Sequence, residues 1–158
     1  MAHTPAAYHI PGGTVTMPRF FILVAVLLVG VICASCDFST STANIKSAQL
    51  ARGYQDGKAV GTTNTFAPTD NPLHCVVEVA NAPGGTRVKS VWTAVDATGL
   101  DGVAHKDQRI DEKEFSTTDT GSVIDFTLSN DAQWPVGRYK VDIYLNDKLD
   151  RTLEFEVR

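Results

Sequence analysis

The sequence predicts an all-β protein, an antiparallel sandwich of about seven strands, and three observations lead to this prediction. After residue 43, no segment keeps the 3.6-residue apolar period of a helix between helix caps. Apolar and polar residues instead alternate with a period of two, as in strands that bury one face. Clusters of Gly, Pro, Asn and Asp interrupt this alternation at intervals of roughly 8 to 15 residues, which is the spacing of turns in an antiparallel sheet.

Length and composition limit what the chain is able to do. Its 158 residues are enough for one domain. Apolar residues make up 43% and charged residues 20%, so the chain is able to build a core and is not disordered throughout. A net charge of -4 excludes a strongly basic nucleic-acid-binding protein. Three cysteines are too few for a disulfide scaffold.

The first element is an apolar run of 15 residues, Phe20–Ala34, with Arg19 directly before it. A membrane-spanning helix needs about 20 apolar residues, whereas the apolar region of a signal peptide needs about 7 to 15. We therefore expect residues 1–35 to be an export signal; an uncleaved membrane anchor is the alternative. Met17 is a second candidate start, because residues 1–16 contain no Lys or Arg and add nothing that such a signal needs.

The run ends in Cys33-Ala34-Ser35-Cys36, which resembles the lipobox of bacterial lipoproteins. In that family the cysteine after the cut is acylated and becomes the mature N-terminus. The resemblance therefore implies cleavage after Ser35 and attachment of lipid such as palmitate to Cys36. Ala34 and Ser35 match the small positions of the pattern, whereas Cys33 departs from its usual aliphatic residue. The implied location is the periplasmic or extracellular face of a membrane, with membrane lipid as a partner through Cys36.

The tether comes next. We expect residues 36–44 to hold the lipidated cysteine and a polar spacer, and residues 45–158 to form the domain. The spacer Asp37–Asn44 is mostly small and polar, and it reaches about 26 to 29 Å when extended. That length lets a domain stand off a membrane surface without drifting from it.

The strands of the domain follow from alternation or from continuous apolar runs. We predict them at Asn44–Ala51, Thr62–Phe66, Leu73–Ala80, Val88–Val95, Arg109–Ser116, Val123–Leu128, Tyr139–Leu145 and Thr152–Arg158. Val88–Val95 is apolar on both faces, which suits a central strand. Arg109–Ser116 carries five charges and is predicted to be an edge strand, where charge discourages association. The best-marked turns are at residues 81–85, 97–102 and 134–137.

Three of these segments resemble an immunoglobulin-like domain. Cys75 and Trp92 are placed like the cysteine of the second strand and the tryptophan of the third strand in that family. The segment Gly137–Val141 resembles the tyrosine-corner strand, with Val141 where the second cysteine would stand. The resemblance therefore implies an immunoglobulin-like or fibronectin type III-like sandwich that lacks the inter-sheet disulfide.

The phase of the last two strands predicts how they pair. Their apolar residues all carry odd numbers: Tyr139, Val141, Ile143, Leu145, Leu153, Phe155 and Val157. An unbulged two-residue loop at Asn146-Asp147 would pair odd with even numbers and set core residues beside solvent residues. We therefore expect a loop with an odd number of residues or a bulge. The simplest solution is the loop Asn146–Lys148, which pairs Val141 with Leu153.

Candidate chemical groups are few. His74 and Cys75 are neighbours, but adjacent strand residues point to opposite faces, so we do not expect a Cys/His nucleophile. Cys75 lies in phase with apolar residues and is predicted to be buried and unreactive. The segment Asp96–Gly102 suggests either a calcium site involving Asp96 and Asp101 or an Asp/Gly-rich turn, because it lacks the ligand pattern of an EF-hand.

Trp134 is the one aromatic residue that we predict for a binding surface, because it lies in a connection; the alternative is a cap on the core. No catalytic residue, cofactor or metal ligand is assigned. We expect a non-catalytic binding or accessory module with an unknown envelope protein or ligand as its partner. The alternatives are a subunit of an envelope enzyme, which would show a concave pocket with converging polar groups, and a spacer held by an uncleaved signal anchor.

Overall fold

The computed structural model describes residues 42–118 and 121–158, and this part of the chain is all-β, as predicted. The nine strands found there are β1 (Asn44–Gln55), β2 (Lys58–Thr62), β3 (Thr65–Phe66), β4 (Leu73–Ala80), β5 (Arg87–Thr98), β6 (Ala104–Ser116), β7 (Gly121–Leu128), β8 (Val136–Leu145) and β9 (Lys148–Val157). Within the same ranges there is no helix of the length and hydrophobicity that a membrane span requires. The expected signal segment and Cys36 lie outside the described residues.

The strands form two sheets that face each other. The four-stranded sheet has the order β2-β1-β4-β7, and the five-stranded sheet has the order β3-β9-β8-β5-β6. Neighbouring strands are antiparallel, except that β3 pairs parallel with β9. The predicted sandwich is therefore confirmed. Its core contains the largest fully buried side chains, among them Trp92, Phe66, Phe126, Leu73, Ile143, Val77, Val141 and Cys75.

Alternation correctly identified the most regular strands. β4 has the predicted bounds, and its in-phase residues Leu73, Cys75, Val77 and Val79 are all buried. The predicted central strand is β5, which pairs with β8 on one side and β6 on the other. The predicted edge strand is β6, which ends the five-stranded sheet.

Several strand bounds differ from the sequence prediction. β2 was not predicted, and β1, β5, β6, β7, β8 and β9 each begin earlier or end later than expected. Thr62–Phe66 is not one strand, because the chain leaves the first sheet at Thr62 and joins the second at Thr65. Thr63 makes this turn: its Oγ1 accepts a 3.0 Å hydrogen bond from the Thr65 N–H and donates a 2.9 Å bond to the Thr65 carbonyl. The predicted turn at 134–137 is shorter than expected, since β8 already begins at Val136.

The register of β8 and β9 is as predicted, but the loop between them is not. Val141 pairs with Leu153, so the buried faces coincide. The three-residue loop is wrong: the turn contains two residues, Asn146 and Asp147, whose φ values of 48° and 65° suit a type I′ turn. Asp150 is the extra residue of a bulge, and this bulge restores the phase that a plain two-residue turn would lose.

Arg151 stays opposite Ile143, which is fully buried. The guanidinium extends beyond the core, and its Nη2 donates a 2.7 Å hydrogen bond to the carbonyl of Ile45 on β1. A long side chain with a charged end is thus accommodated at the margin of the core, where it links the two sheets.

Candidate functional site

Trp134 and Tyr139 fix the connection between β7 and β8. The Tyr139 hydroxyl donates a 2.6 Å hydrogen bond to the Pro135 carbonyl four residues upstream, which is the contact of a tyrosine corner. Burial raises the pKa of Tyr139 to about 12. The Trp134 indole N–H donates a 2.8 Å bond to the Asp70 carbonyl, and the residue is only 4% exposed. This burial favours the alternative that the sequence left open, in which the Trp134 indole caps the end of the core.

His74 and Cys75 lie on opposite faces of β4, as expected. Cys75 is fully buried between the sheets, whereas His74 lies on the outer face of the four-stranded sheet. Burial, with a smaller contribution from the negative charge of Asp125, raises the pKa of the Cys75 thiol from 9.0 to about 12. The thiolate is therefore strongly disfavoured at neutral pH, and the thiol has no imidazole on its own side of the strand.

Cys75 is expected to react with a thiol reagent roughly a hundredfold more slowly in the native protein than in urea, because burial keeps it protonated and inaccessible. The rate is measured by absorbance in a C33S/C36S variant, which leaves Cys75 as the only thiol. Equal rates in the two states would contradict the burial. Because the folded pKa is raised, the stabilising effect of the protonated thiol is complete below pH 9.0 and is lost as pH rises toward 12.

His74 has a partner that the sequence did not indicate. Its Nδ1 lies 2.9 Å from Asp125 Oδ2 and 3.1 Å from Oδ1, across the boundary between β4 and β7. Both side chains are about six-sevenths buried, with exposed fractions of 13% and 15%. This polar pair joins two strands on the outer face of the four-stranded sheet, and Val76 lies next to it in the same face.

The aspartates that suggested calcium are engaged in the β5–β6 turn and in an ion pair. Asp101 Oδ1 accepts a 3.0 Å hydrogen bond from the Val103 N–H. Asp96 Oδ2 lies 3.6 Å from Arg138 Nη2 on β8. The structure does not bring Asp96 and Asp101 into a ligand cluster: among residues 42–118 and 121–158, no three His, Cys, Asp or Glu side chains are grouped closely enough to hold a metal ion.

A surface cavity of about 410 Å³ lies on the outer face of the five-stranded sheet, beside β3, β8 and β9. Its charged lining consists of Arg138, Glu154, Glu156 and Arg158. Arg158 Nη1 lies 3.9 Å from Glu156 Oε2, and Arg138 is paired with Asp96 as described above. The lining contains no histidine or cysteine, and its charged groups are of both signs.

A corner is left open where β6 overhangs the edge of β7. The overhanging residues, which define the β6–β7 corner, lie on the core-facing side of β6 and are Asp111, Lys113 and Phe115. Their partners on β5 are all fully buried: Trp92, Ser90 and Val88. Phe115 is nonetheless 47% exposed, and the strand of the facing sheet that it contacts, β7, is the last strand of that sheet.

Two contacts connect the β6–β7 corner to β7. The Phe115 ring lies against the Phe126 ring, with 5.5 Å between the ring centroids. Lys113 Nζ donates a 2.7 Å hydrogen bond to the backbone carbonyl of Thr127 and lies 3.4 Å from Asp111 Oδ2. The Lys113 side chain thus donates to the Thr127 carbonyl, with which no strand of the described residues pairs on that side.

Together these features define an immunoglobulin-like β-sandwich module. Two sheets face each other, Tyr139 makes the tyrosine corner, and Cys75 and Trp92 are buried on β4 and β5. Val141 is fully buried on β8, and Cys75 is a free cysteine.

Comparison with known proteins found no matching family model and no matching curated protein. Among solved structures, the chain is similar to an immunoglobulin-like protein from Pseudomonas aeruginosa, with 13% identity and a TM-score of 0.49 over 76% of this chain and 99% of the other. It is also similar to part of the Pseudomonas fluorescens alkylpurine DNA glycosylase AlkC, with 16% identity and a TM-score of 0.47 over 73% and 30% of the two chains. A β-glucosidase from Listeria innocua gives 13% identity and a TM-score of 0.40 over 73% and 15%. The chain thus spans less than a third of either enzyme.

Proposed function

We propose that this protein is a lipoprotein, anchored through Cys36, whose immunoglobulin-like domain binds a partner on the outer face of a bacterial membrane and does not catalyse a reaction. The observation that carries the proposal is the 15-residue apolar run followed directly by Ala34-Ser35-Cys36. The length of the run suits a cleaved signal, and its end resembles a lipobox. Membrane lipid is the first partner of the chain, and an envelope protein is the second.

The spacer between Cys36 and the first described residue of the domain contains few residues. Thr42 Oγ1 donates a 3.1 Å hydrogen bond to the Asn81 carbonyl, and β1 begins at Asn44. The chain is therefore fixed to the domain from Thr42 onward, and only Asp37–Ser41 separate this point from Cys36. Five extended residues reach about 17 Å. The domain would thus be held closer to the membrane than the sequence alone suggested.

The chemistry of the described residues favours binding over catalysis. The nucleophile with the greatest intrinsic reactivity, the Cys75 thiol, is buried and lies on the opposite face of β4 from His74. The surface cavity on the five-stranded sheet is lined by opposite charges that lie near one another, such as Arg158 and Glu156. An enzyme subunit would need a pocket where polar groups converge on a reacting atom.

Metabolic labelling of bacteria with an alkyne analogue of palmitate tests the anchor. The wild-type protein is expected to be labelled, cleaved and recovered with membranes, because two or more acyl chains hold a protein firmly, each buried CH₂ contributing about 0.8 kcal/mol. Cys36→Ser is expected to abolish the label. Cys33→Ser is the matched control, since it removes the other cysteine of the segment and is expected to leave the label in place.

Mass spectrometry of the wild-type membrane fraction shows whether the apolar segment has been removed, and so tests the lipoprotein proposal independently of the label. An intact Phe20–Ala34 in that fraction would contradict the lipoprotein proposal and favour a spacer held by an uncleaved signal anchor. A cleaved but unlabelled product would contradict the lipid anchor while leaving export in place.

A further inference from the structure

We propose that the free edge of β7 accepts an extended peptide strand from a partner protein, which would continue the four-stranded sheet beneath the overhang of β6. This inference rests on the proposed binding function of the domain and is independent of the lipid anchor. The partner is defined by its chemistry as an extended segment with unpaired backbone groups.

The β7 edge is regular, and Thr127 is the residue whose edge carbonyl a side chain, that of Lys113, already contacts. β7 pairs with β4 over eight residues without a register shift, and no other strand of the described residues pairs with it. The Thr127 carbonyl points away from β4, because it accepts from Lys113 on the far side. Backbone direction alternates along an antiparallel strand. The N–H and C=O groups of Val123 and Asp125 therefore point to the same open side as those of Thr127.

The other edges of the described sheets carry features that discourage strand addition. β3 has only two residues, and β2 has five with Gly61 at a φ of 64°. β6 has a bulge at Ile110, a φ of 46° at Asp107 and a dense series of charges. Short length, bulges and charge are the means by which proteins protect sheet edges. β7 has no bulge, no Pro and no Lys or Arg, and its one charged residue, Asp125, is paired with His74.

The β6–β7 corner supplies the space and the chemistry for one more strand. A strand added to β7 would run about 4.8 Å from it and below the core-facing side of β6, since facing sheets lie about 10 Å apart. Its backbone would take the place of Lys113 at the Thr127 carbonyl, and its inward side chains would cover the half-exposed ring of Phe115 and meet the displaced ammonium group. The partner segment is therefore expected to place an apolar residue beneath Phe115 and a carboxylate near Lys113.

Hydrogen exchange by NMR on the purified full chain tests this inference. The probe is an end-capped eight-residue peptide that alternates valine and threonine and carries one glutamate. In the free protein the amides of Val123, Asp125 and Thr127 are expected to exchange quickly, while that of Phe126, which points toward β4, exchanges slowly. Excess peptide is expected to slow the three edge amides roughly tenfold or more. Replacing the glutamate by lysine is expected to weaken binding about two- to fivefold.

Backbone variants separate strand pairing from side-chain contact. The same peptide with N-methyl groups at alternate residues is expected not to protect the edge amides, because it lacks the donors that face β7. In the protein, Val123→Pro removes an edge N–H and is expected to weaken binding about tenfold or more, whereas Val123→Thr keeps the N–H and is expected to bind within about twofold of wild type. Slow exchange at Phe126 verifies that each variant is folded; if Val123→Pro unfolds, the methylated peptide decides the question on the wild-type protein.

Two results would overturn the inference. The first is slow exchange of the three edge amides in the free protein, which would mean that the edge is already covered. The second is an absence of added protection at millimolar peptide, or protection confined to β2 or β6. The palmitate label is a separate measurement, so failure of the anchor and failure of the β7 site are distinguishable.

Discussion

Gly137→Ala is expected to destabilise the domain by about 2 to 5 kcal/mol, the sum of backbone strain and overpacking. Gly137 has a φ of 154°, in the region that disfavours side chains. A Cβ at this position would collide with the Asp96 carbonyl oxygen and with Ala97, whose Cβ would be 2.8 Å away. These atoms belong to the backbone or the first side-chain carbon of β5, which is held between β6 and β8. They are therefore not free to move aside.

Urea unfolding of Gly137→Ala measures the effect, and Gly53→Ala is the matched control. Gly53 lies in β1, where an added Cβ would be in ordinary contact with the Val60 Cβ at 3.7 Å. Its substitution is expected to change the free energy of unfolding by less than about 1 kcal/mol in either direction. Similar unfolding midpoints for the two variants would contradict the close approach of β8 to β5.

The last hairpin shows what alternation predicts and what it leaves open. Register follows from the side-chain phase, because a slip of one residue would expose the buried face. The pairing of Val141 with Leu153 was therefore predictable. The turn depends instead on whether Asn146 and Asp147 adopt positive φ, which these residue types tolerate but do not require. A two-residue turn with a bulge and a three-residue loop both place the odd-numbered apolar residues of the two strands opposite each other. The residue numbers therefore did not distinguish between these two turns.

The sequence prediction missed β2 and gave β3 the wrong bounds. β2 follows β1 through the two-residue turn Asp56-Gly57, a local hairpin signal that the alternation did not use. β3 is a strand only because Thr65 and Phe66 pair in parallel with Glu156 and Val157, about ninety residues later in the chain. The local sequence contains too few residues for alternation to be recognised. The turn at Thr63, where the chain passes from one sheet to the other, is held by side-chain hydrogen bonds that the alternation of apolar and polar residues does not indicate.

The same limit applies to the candidate sites. Alternation correctly predicts that His74 faces outward, but its contact with Asp125 depends on the register between β4 and β7. Trp134 is buried, and the partner of its indole N–H is the Asp70 carbonyl, 64 residues earlier in the chain. Phe115 likewise contacts β7, the last strand of the opposite sheet. Each of these facts is a property of the assembled sheets and not of a local segment.

Phe155 is the residue at which truncation is expected to cost the most packing. It is 3% exposed and contacts three other aromatic side chains. Its ring lies edge-on to Phe66 at 5.5 Å and to Trp92 at 6.0 Å, and it stacks on Tyr139 at 5.2 Å. Offset stacking and edge-to-face contacts are the favoured geometries of aromatic pairs, and each contributes about 0.5 to 1.5 kcal/mol beyond the burial of area. The ring therefore joins β9 to β3, β5 and β8 through one cluster.

Phe155→Ala is expected to lower the free energy of unfolding by about 3 to 5 kcal/mol, because the cavity left among three rigid rings is not able to collapse. Phe115→Ala makes the same chemical deletion at a residue that is 47% exposed, and it is expected to cost less than about 1.5 kcal/mol. Phe155→Leu, which retains much of the apolar volume, is expected to lie between the two. Denaturant unfolding of the three variants gives these values directly. If Phe155→Ala and Phe115→Ala were equally destabilising, the aromatic cluster would not be the centre of the core, and the difference in burial between β9 and the β6–β7 corner would be contradicted.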